Sequence, residues 1–329
     1  MKKTFAVFAV LLLLVSGILA GCSAGASTGK EKVVIGYFPN IDHTPAMVAK
    51  EKAMYEEALG EGYEIEYRTF PDGGAFMTAL KTGEIDGGLV GPGPAMNNYA
   101  SGADVKVIAG ASSGGTVIIA SKQSGITSIE GLDGATFITP GIGCTHDVQM
   151  ETFLKDFGLT SSRIGGTMNH VTGNPAQYGQ MFEAGRVDAA AVPEPWASVL
   201  AVEYGANIIV NSDKISFGET LPNTIFVTSG KYIEENNEVV QALMDAHAKS
   251  VQFIEENPED AKLIAINQIK EATNQELSKD IIDSAWERIR WTSDVDAEVI
   301  QEFANSSFDL KFLTEKPDFT NFIDTSFQN

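Results

Sequence analysis

Apolar positions along the chain follow two periodicities in turn. Short β-branched or aromatic runs at 32–38 (KVVIGYF), 63–70 (YEIEYRTF), 85–90 and 105–109 predict strands. Between them, 44–59, 74–81 and 94–100 carry apolar residues at helical spacing, with Pro45 just inside one helix start and Gly60 just past its end. The same grammar repeats, with strands at 116–121 (TVIIAS), 135–138, 168–171 and 187–192, and helices at 145–157, at 174–184 and from Pro195. A strand at 224–228 (TIFVT) follows, then helices at 237–256, 258–269, 275–290 and 297–304. Strands separated by such helices imply right-handed βαβ units and parallel sheets. The order predicts an α/β protein of two lobes, 32–118 with 224–329 and 119–223 inserted between them, the crossings serving as hinge strands.

The first residues stand outside this pattern. Lys2 and Lys3 precede an apolar run at 5–19 that ends in Leu19-Ala20-Gly21-Cys22, the layout of an export signal. The run is short for a membrane span of about 20 residues. Its end resembles a bacterial lipobox, which implies removal of residues 1–21, lipidation of Cys22 and attachment to the outer face of the cell membrane. Residues 22–31 read as a small, polar, flexible linker.

Charge narrows the function. With 23 Lys+Arg against 44 Asp+Glu the net charge is −21, which repels nucleic acid and anionic lipid headgroups. Loss of residues 1–21 removes two lysines and no acid, and so takes the charge to −23. Only Cys144 is then left besides the lipidated cysteine, so an exported domain holds together without an internal disulfide. No GxxxxGK[ST] phosphate loop, HExxH pair or GxGxxG fingerprint follows a predicted strand, and neither an enzyme nor a cofactor is expected.

Ligands of open α/β sheets bind beyond the carboxyl ends of strands, where helix starts leave N–H groups unpaired. Five starts follow a strand closely: Thr44-Pro45, Gly93-Pro94, Cys144-Thr145, Asn174-Pro175 and Glu194-Pro195. The loops at 39–45, 91–98, 111–116, 140–148, 192–196 and 219–224 contain no Lys or Arg. Backbone N–H groups, hydroxyls and imidazoles are therefore the available donors for a small oxyanion.

Several segments together, GYFP (36–39), HTPAMVAKEK (43–52), LKTGEID (80–86), GPGPAMN (91–97) and VPEPWAS (192–198), resemble the aliphatic-sulfonate, taurine and nitrate substrate-binding proteins of ABC importers. The resemblance runs from about Val33 to the C-terminal helices. It implies a type II periplasmic-binding-protein fold, each lobe a central, mainly parallel sheet flanked by helices, acting as a monomer that delivers a small solute to permease and ATPase subunits. By position it implies a site drawn from both lobes: His43, Thr44, Gly91, Gly93, Pro94, Ala95, Ser112, Ser113, Cys144, Thr145, His146, Glu194, Trp196 and Asn223.

One segment departs from the resemblance. Relatives similar to sulfonate binders carry Asn-Thr-Gln-Asp where this chain has Cys144-Thr145-His146-Asp147. His43, Cys144, His146 and Glu194 form a borderline-soft donor set suited to a metal ion or organometal species, and a helix start favours a thiolate. The plainer reading is a buried thiol beside a polar cap. Asp42, Asp147 and Glu194 also fit a cationic group better than an oxyanion. Ser112-Ser113-Gly114-Gly115 reads as hydroxyl donors or as a hinge turn. His170 and His247 read as structural.

Overall fold

The chain runs through β1 (Glu31–Tyr37), α1 (Thr44–Glu51), α2 (Met54–Leu59), β2 (Tyr63–Thr69), α3 (Gly73–Thr82), β3 (Gly87–Val90), α4 (Pro92–Ala100) and β4 (Lys106–Gly114). It then crosses to β5 (Val117–Ala120), β6 (Thr136–Thr139), α5 (Thr145–Lys155), β7 (Asn169–Thr172), α6 (Tyr178–Glu183), β8 (Ala189–Val192), α7 (Trp196–Tyr204) and β9 (Asn207–Val210). It returns as β10 (Pro222–Thr228) and ends in α8 (Gly230–Glu235), α9 (Asn237–Glu256), α10 (Pro258–Thr273), α11 (Lys279–Trp286), β11 (Ile289–Trp291) and α12 (Ala297–Asp309). This computed structural model describes residues 30–316 and 318–328. The signal segment 1–21, Cys22 and the linker as far as residue 29 lie outside the described residues.

Two sheets result, ordered β11-β4-β10-β3-β1-β2 and β7-β6-β8-β5-β9. The βαβ pairs are parallel as expected, β1 with β3 and β6 with both β7 and β8. The sheets are nevertheless mixed rather than mainly parallel. β10 runs antiparallel to β3 and β4, and β5 antiparallel to β8 and β9. The parallel rule applies to strands joined by a crossover helix, and no helix separates β4 from β5.

Local differences have local causes. The helix expected over 44–59 breaks at Ala53, whose φ of 52° is left-handed, and resumes as α2. The helix expected over 275–290 stops at Trp286, because Ile289 and Trp291 alternate with exposed Arg290 and pair with β4. β4 itself continues to Gly114, so Ser112 and Ser113 are strand residues rather than a hinge turn. The edge strand β9 was not expected.

Central strands β3 (GGLV) and β8 (AAAV) are buried along their whole length, as sheets covered on both faces require. The amphipathic stripe of α9, which includes Val240, Leu243, His247, Val251 and Ile254, packs on α1 and α2. Each such aliphatic side chain contributes about 1.5–3 kcal/mol on burial. From Lys32 onward the described residues pack as one unit. No helix among them is long and apolar enough to cross a membrane.

Candidate functional site

Three helices begin beside one another without a side-chain cap: α1 after His43, α4 after Gly91 and α5 after Cys144. Asp72, Ser229, Ser278 and Asp296 cap their helices through side-chain oxygens, whereas α2, α6, α7, α9 and α10 lack such a cap as these three do. The three uncapped starts border a cleft of about 70 Å³. At about 10–15 Å³ of such space per water, that volume suits a few waters or one small solute. The six-stranded side contributes Phe38, Asn40, Asp42, His43, Phe70, Gly91, Pro94 and Asn223, and the other side Pro140, Cys144, Thr145, His146, Asn174 and Trp196.

The two sides touch directly. The Gly93 N–H donates to Thr145 Oγ1 at 3.2 Å, and Asn97 Nδ2 donates to Gly143 O at 3.0 Å. A Cβ on Gly93 would lie 2.6 Å from Thr145 N and 2.8 Å from Gly143 O, so only glycine lets these helix starts approach so closely. Asn223 Nδ2 donates to Gly114 O and, at 2.8 Å, to Thr116 Oγ1. Thr116 in turn donates to Gln149 Oε1 and meets His146 Nδ1, both at 2.7 Å. With its own hydrogen given to Gln149, Thr116 accepts from His146, which leaves His146 Nε2 with a lone pair.

Burial controls the charges here. It pulls His43 down to about 3, helped by His146, and His146 down to about 4, so both imidazoles are neutral at pH 7. Asp42 is raised well above the usual carboxyl range by burial and then by the nearby Glu194. Among the described residues, no lysine or arginine lines the cleft. Cys144 is the buried thiol of the plainer reading, and the alternative thiolate at the α5 start is disfavoured. Burial, then Asp147, pushes Cys144 up to about 12, and the helix-start N–H groups offset this only in part.

Of the expected residues, His43, Gly91, Pro94, Cys144, Thr145, His146, Trp196 and Asn223 line the cleft, while Thr44, Gly93, Ala95, Ser112, Ser113 and Glu194 stand behind it. Thr44 Oγ1 donates to Ile41 O at 2.6 Å, and Ser112 Oγ to Asp42 O at 2.9 Å. Gly110-Ala-Ser112-Ser-Gly114 spells a nucleophile-elbow pattern, yet Ser112 is buried within a strand, not perched on a strand-to-helix turn. Glu194 faces inward to Arg288 Nη1 at 2.7 Å and accepts from the N–H and hydroxyl of Ser198.

The metal alternative fails on the same geometry. Among the described residues, the clustered donor atoms within 4.8 Å of one another belong to Asp147, Glu151 and His170, not to His43, Cys144, His146 and Glu194. Asn40, Phe38 and Phe70 were not singled out from the sequence. The Pro39-Asn40 pair that ends the first strand was their one available signal. Thr116 and Arg288 gave none, because each acts through a partner distant in sequence.

Two mixed sheets facing a cleft bordered by helix starts define a periplasmic-binding-protein fold. The chain belongs to the NMT1-like family, whose model matches residues 26–267. It is 26% identical over 333 residues to the putative aliphatic sulfonates-binding protein of Bacillus subtilis (strain 168), covering 97% of this chain and 94% of that relative. Among solved structures, the alkanesulfonate-binding protein SsuA from Xanthomonas axonopodis pv. citri bound to MOPS superposes with a TM-score of 0.76 at 21% identity, covering 91% of this chain and 100% of that one. The periplasmic nitrate-binding protein NrtA from Synechocystis PCC 6803 gives 0.70 at 16% identity, with 88% and 84% covered.

Proposed function

We propose that the protein is the extracytoplasmic solute-binding component of an ABC importer. In this reading the residues up to Gly114, with those from Pro222 on, form one lobe and the segment between them the other, a few residues from the expected crossings at 118/119 and 223/224, and the lobes close over a small oxyanion of the aliphatic sulfonate, taurine and nitrate class. The loaded monomer then presents its solute to a permease driven by ATPase subunits. The observation that carries the reading is the meeting of the uncapped α4 and α5 starts over a small shared cleft. Each start supplies about half a positive charge from its backbone, which suits an anion where no arginine is present. Thr145 accepts from Gly93 and so keeps its own hydroxyl hydrogen to donate. The names of the sulfonate-binding and taurine-binding relatives support the same solute class.

His43, Gly91, Pro94, Cys144, Thr145, His146, Trp196 and Asn223 are the residues we assign to solute contact. Thr44, Gly93, Ala95, Ser112, Ser113 and Glu194 hold them in place. We further propose that Cys22 carries the lipid that tethers the protein to the outer face of the cell membrane, two acyl chains giving the stable hold that one does not.

A thermal-shift series with alkanesulfonates, taurine and nitrate tests the first proposal. A solute at about 100 times its Kd adds about 2.7 kcal/mol of stability. If no member of the series raises the midpoint, the reading fails. Fractionation of cells expressing the full chain tests the second. Cys22→Ser moves the protein from the membrane to the soluble fraction, and unchanged membrane association sinks the anchor.

A further inference from the structure

One cluster of buried polar groups stands outside the cleft lining. Asp147 and Glu151 are four residues apart in α5 and so share a face of the helix, and His170 reaches them from β7. One donor atom from each of the three lies within 4.8 Å of the other two. Both acids are fully buried, and the His170 side chain is 5% exposed. The set shares no member with His43, Cys144, His146 and Glu194.

The imidazole is presented as a ligand. Its Nε2 lies 2.7 Å from Thr139 Oγ1, and that hydroxyl gives its own hydrogen to the Gly141 carbonyl, which can only accept. Nε2 therefore carries the ring hydrogen, and Nδ1 keeps a lone pair. A ring whose other nitrogen donates to a fixed oxygen is the usual state of a metal-bound histidine. Nδ1 faces Asp147 Oδ2 at 3.7 Å, and Oδ2 already accepts from the Gly143 N–H at 2.8 Å, so an acceptor faces an acceptor. The separation is too long for a hydrogen bond, but close to the roughly 3.4 Å between two donors bound tetrahedrally to one zinc at about 2.1 Å each. His170 Nδ1 and Asp147 Oδ1 are both buried with no hydrogen-bond partner.

Two carboxylates meet here, and one guanidinium answers them. Arg163 Nη2 lies 3.3 Å from Glu151 Oε2, while its Nη1 donates to the Leu310 carbonyl at 2.8 Å and its central carbon sits 3.8 Å from the Phe312 ring centre. Arg163 is thus held on the Glu151 side. Burial, then Glu151, raises the Asp147 carboxyl well above its usual range, a cost that a further cation beside it relieves.

We propose that Asp147, Glu151 and His170 bind one divalent transition-metal cation, with zinc the fitting ion because one imidazole nitrogen and two carboxylates are donors it takes. The ion is resident in the fold and is not the solute. It ties the edge strand β7 to the first two turns of α5. Through Asp147, which holds the Gly143 N–H, it also steadies the loop that leads into Cys144 and Thr145.

Equilibrium dialysis of the chelator-stripped protein against zinc chloride, with elemental analysis of bound metal, tests this. Magnesium chloride is a second probe, and cobalt chloride supplies an absorption spectrum. About one zinc per chain is expected, with magnesium at least about a hundredfold weaker and cobalt showing d–d bands without thiolate charge transfer. His170→Gln and Asp147→Asn each weaken zinc at least about tenfold. Unchanged zinc affinity in either variant overturns the site, as does no bound zinc at millimolar concentration. A thiolate band with cobalt places the ion at Cys144 and overturns it too. Magnesium binding as tightly as zinc removes His170 from the set, with the same result. Where a variant does not fold, the wild-type dialysis and cobalt spectrum decide alone.

Discussion

The Gly93 N–H points at Thr145 Oγ1 across 3.2 Å and thereby joins the first turn of α4 to the first turn of α5. The contact leaves no room for a side chain, because a Cβ on Gly93 meets the Thr145 nitrogen at 2.6 Å. Gly93→Val is therefore expected to hold the two helix starts apart while each sheet stays folded. Solute affinity falls at least about tenfold, equivalent to about 1.4 kcal/mol, and the radius of gyration measured by small-angle scattering with solute present rises toward the solute-free value. Wild-type affinity in this variant refutes the docking role.

Arg288 and Glu194 form the cleft's buried foundation, with Glu194 fully buried and Arg288 largely so. Removing one partner leaves an uncompensated charge. Arg288→Ala is expected to lose about 3–5 kcal/mol in chemical denaturation. Adding Glu194→Gln recovers part of that loss, since the stranded carboxylate is gone. Equal stability of the single and double variants contradicts the pairing.

His247 gives a pH test away from the cleft. Its Nε2 lies 2.7 Å from Gly110 O, so that nitrogen carries the hydrogen, and burial holds the ring at about 4 against an ordinary 6.5. The unfolded chain takes up the proton first. This residue's contribution is whole above about pH 6.5 and drains as pH falls toward 4, by at most about 1.4 kcal/mol per pH unit. His247→Gln is expected to flatten the loss of stability between pH 7 and pH 5 by about 2 kcal/mol or less. An unchanged slope counts against a neutral buried imidazole.

Cys144, raised to about 12 by burial, is expected to resist thiol reagents at pH 8. Labelling in the native state runs at least about a hundredfold slower than in denaturant. Comparable rates mean an exposed thiolate.

Much of the fold was legible because its strands and helices carry clear periods. The span of α9 matches the expected 237–256, since its apolar stripe and the Asn257-Pro258 stop agree. β11 was not legible. Its three residues form a strand only by pairing with β4, a partner more than 170 positions away in the sequence. The site divides along the same line. His43, Gly91 and Cys144 sit at helix starts that punctuation announces, whereas the inward turn of Glu194 depends on Arg288, contributed by a distant segment. The choice between a buried thiol and a thiolate at Cys144 stayed open in the sequence, which shows a helix start but not the burial that outweighs it.

The chain departs the six-stranded sheet at Gly114 and rejoins it at Pro222, which pairs with Ser113, while Asn223 grips the Gly114 carbonyl. Exit and entry are next-door neighbours, so everything between them is topologically a detachable loop. Its termini already abut, and grafting a corresponding stretch from a relative would splice at a single spot, exchanging the cleft lining that this segment carries, Pro140, Cys144, Thr145, His146, Asn174 and Trp196 among it, without rethreading the remainder.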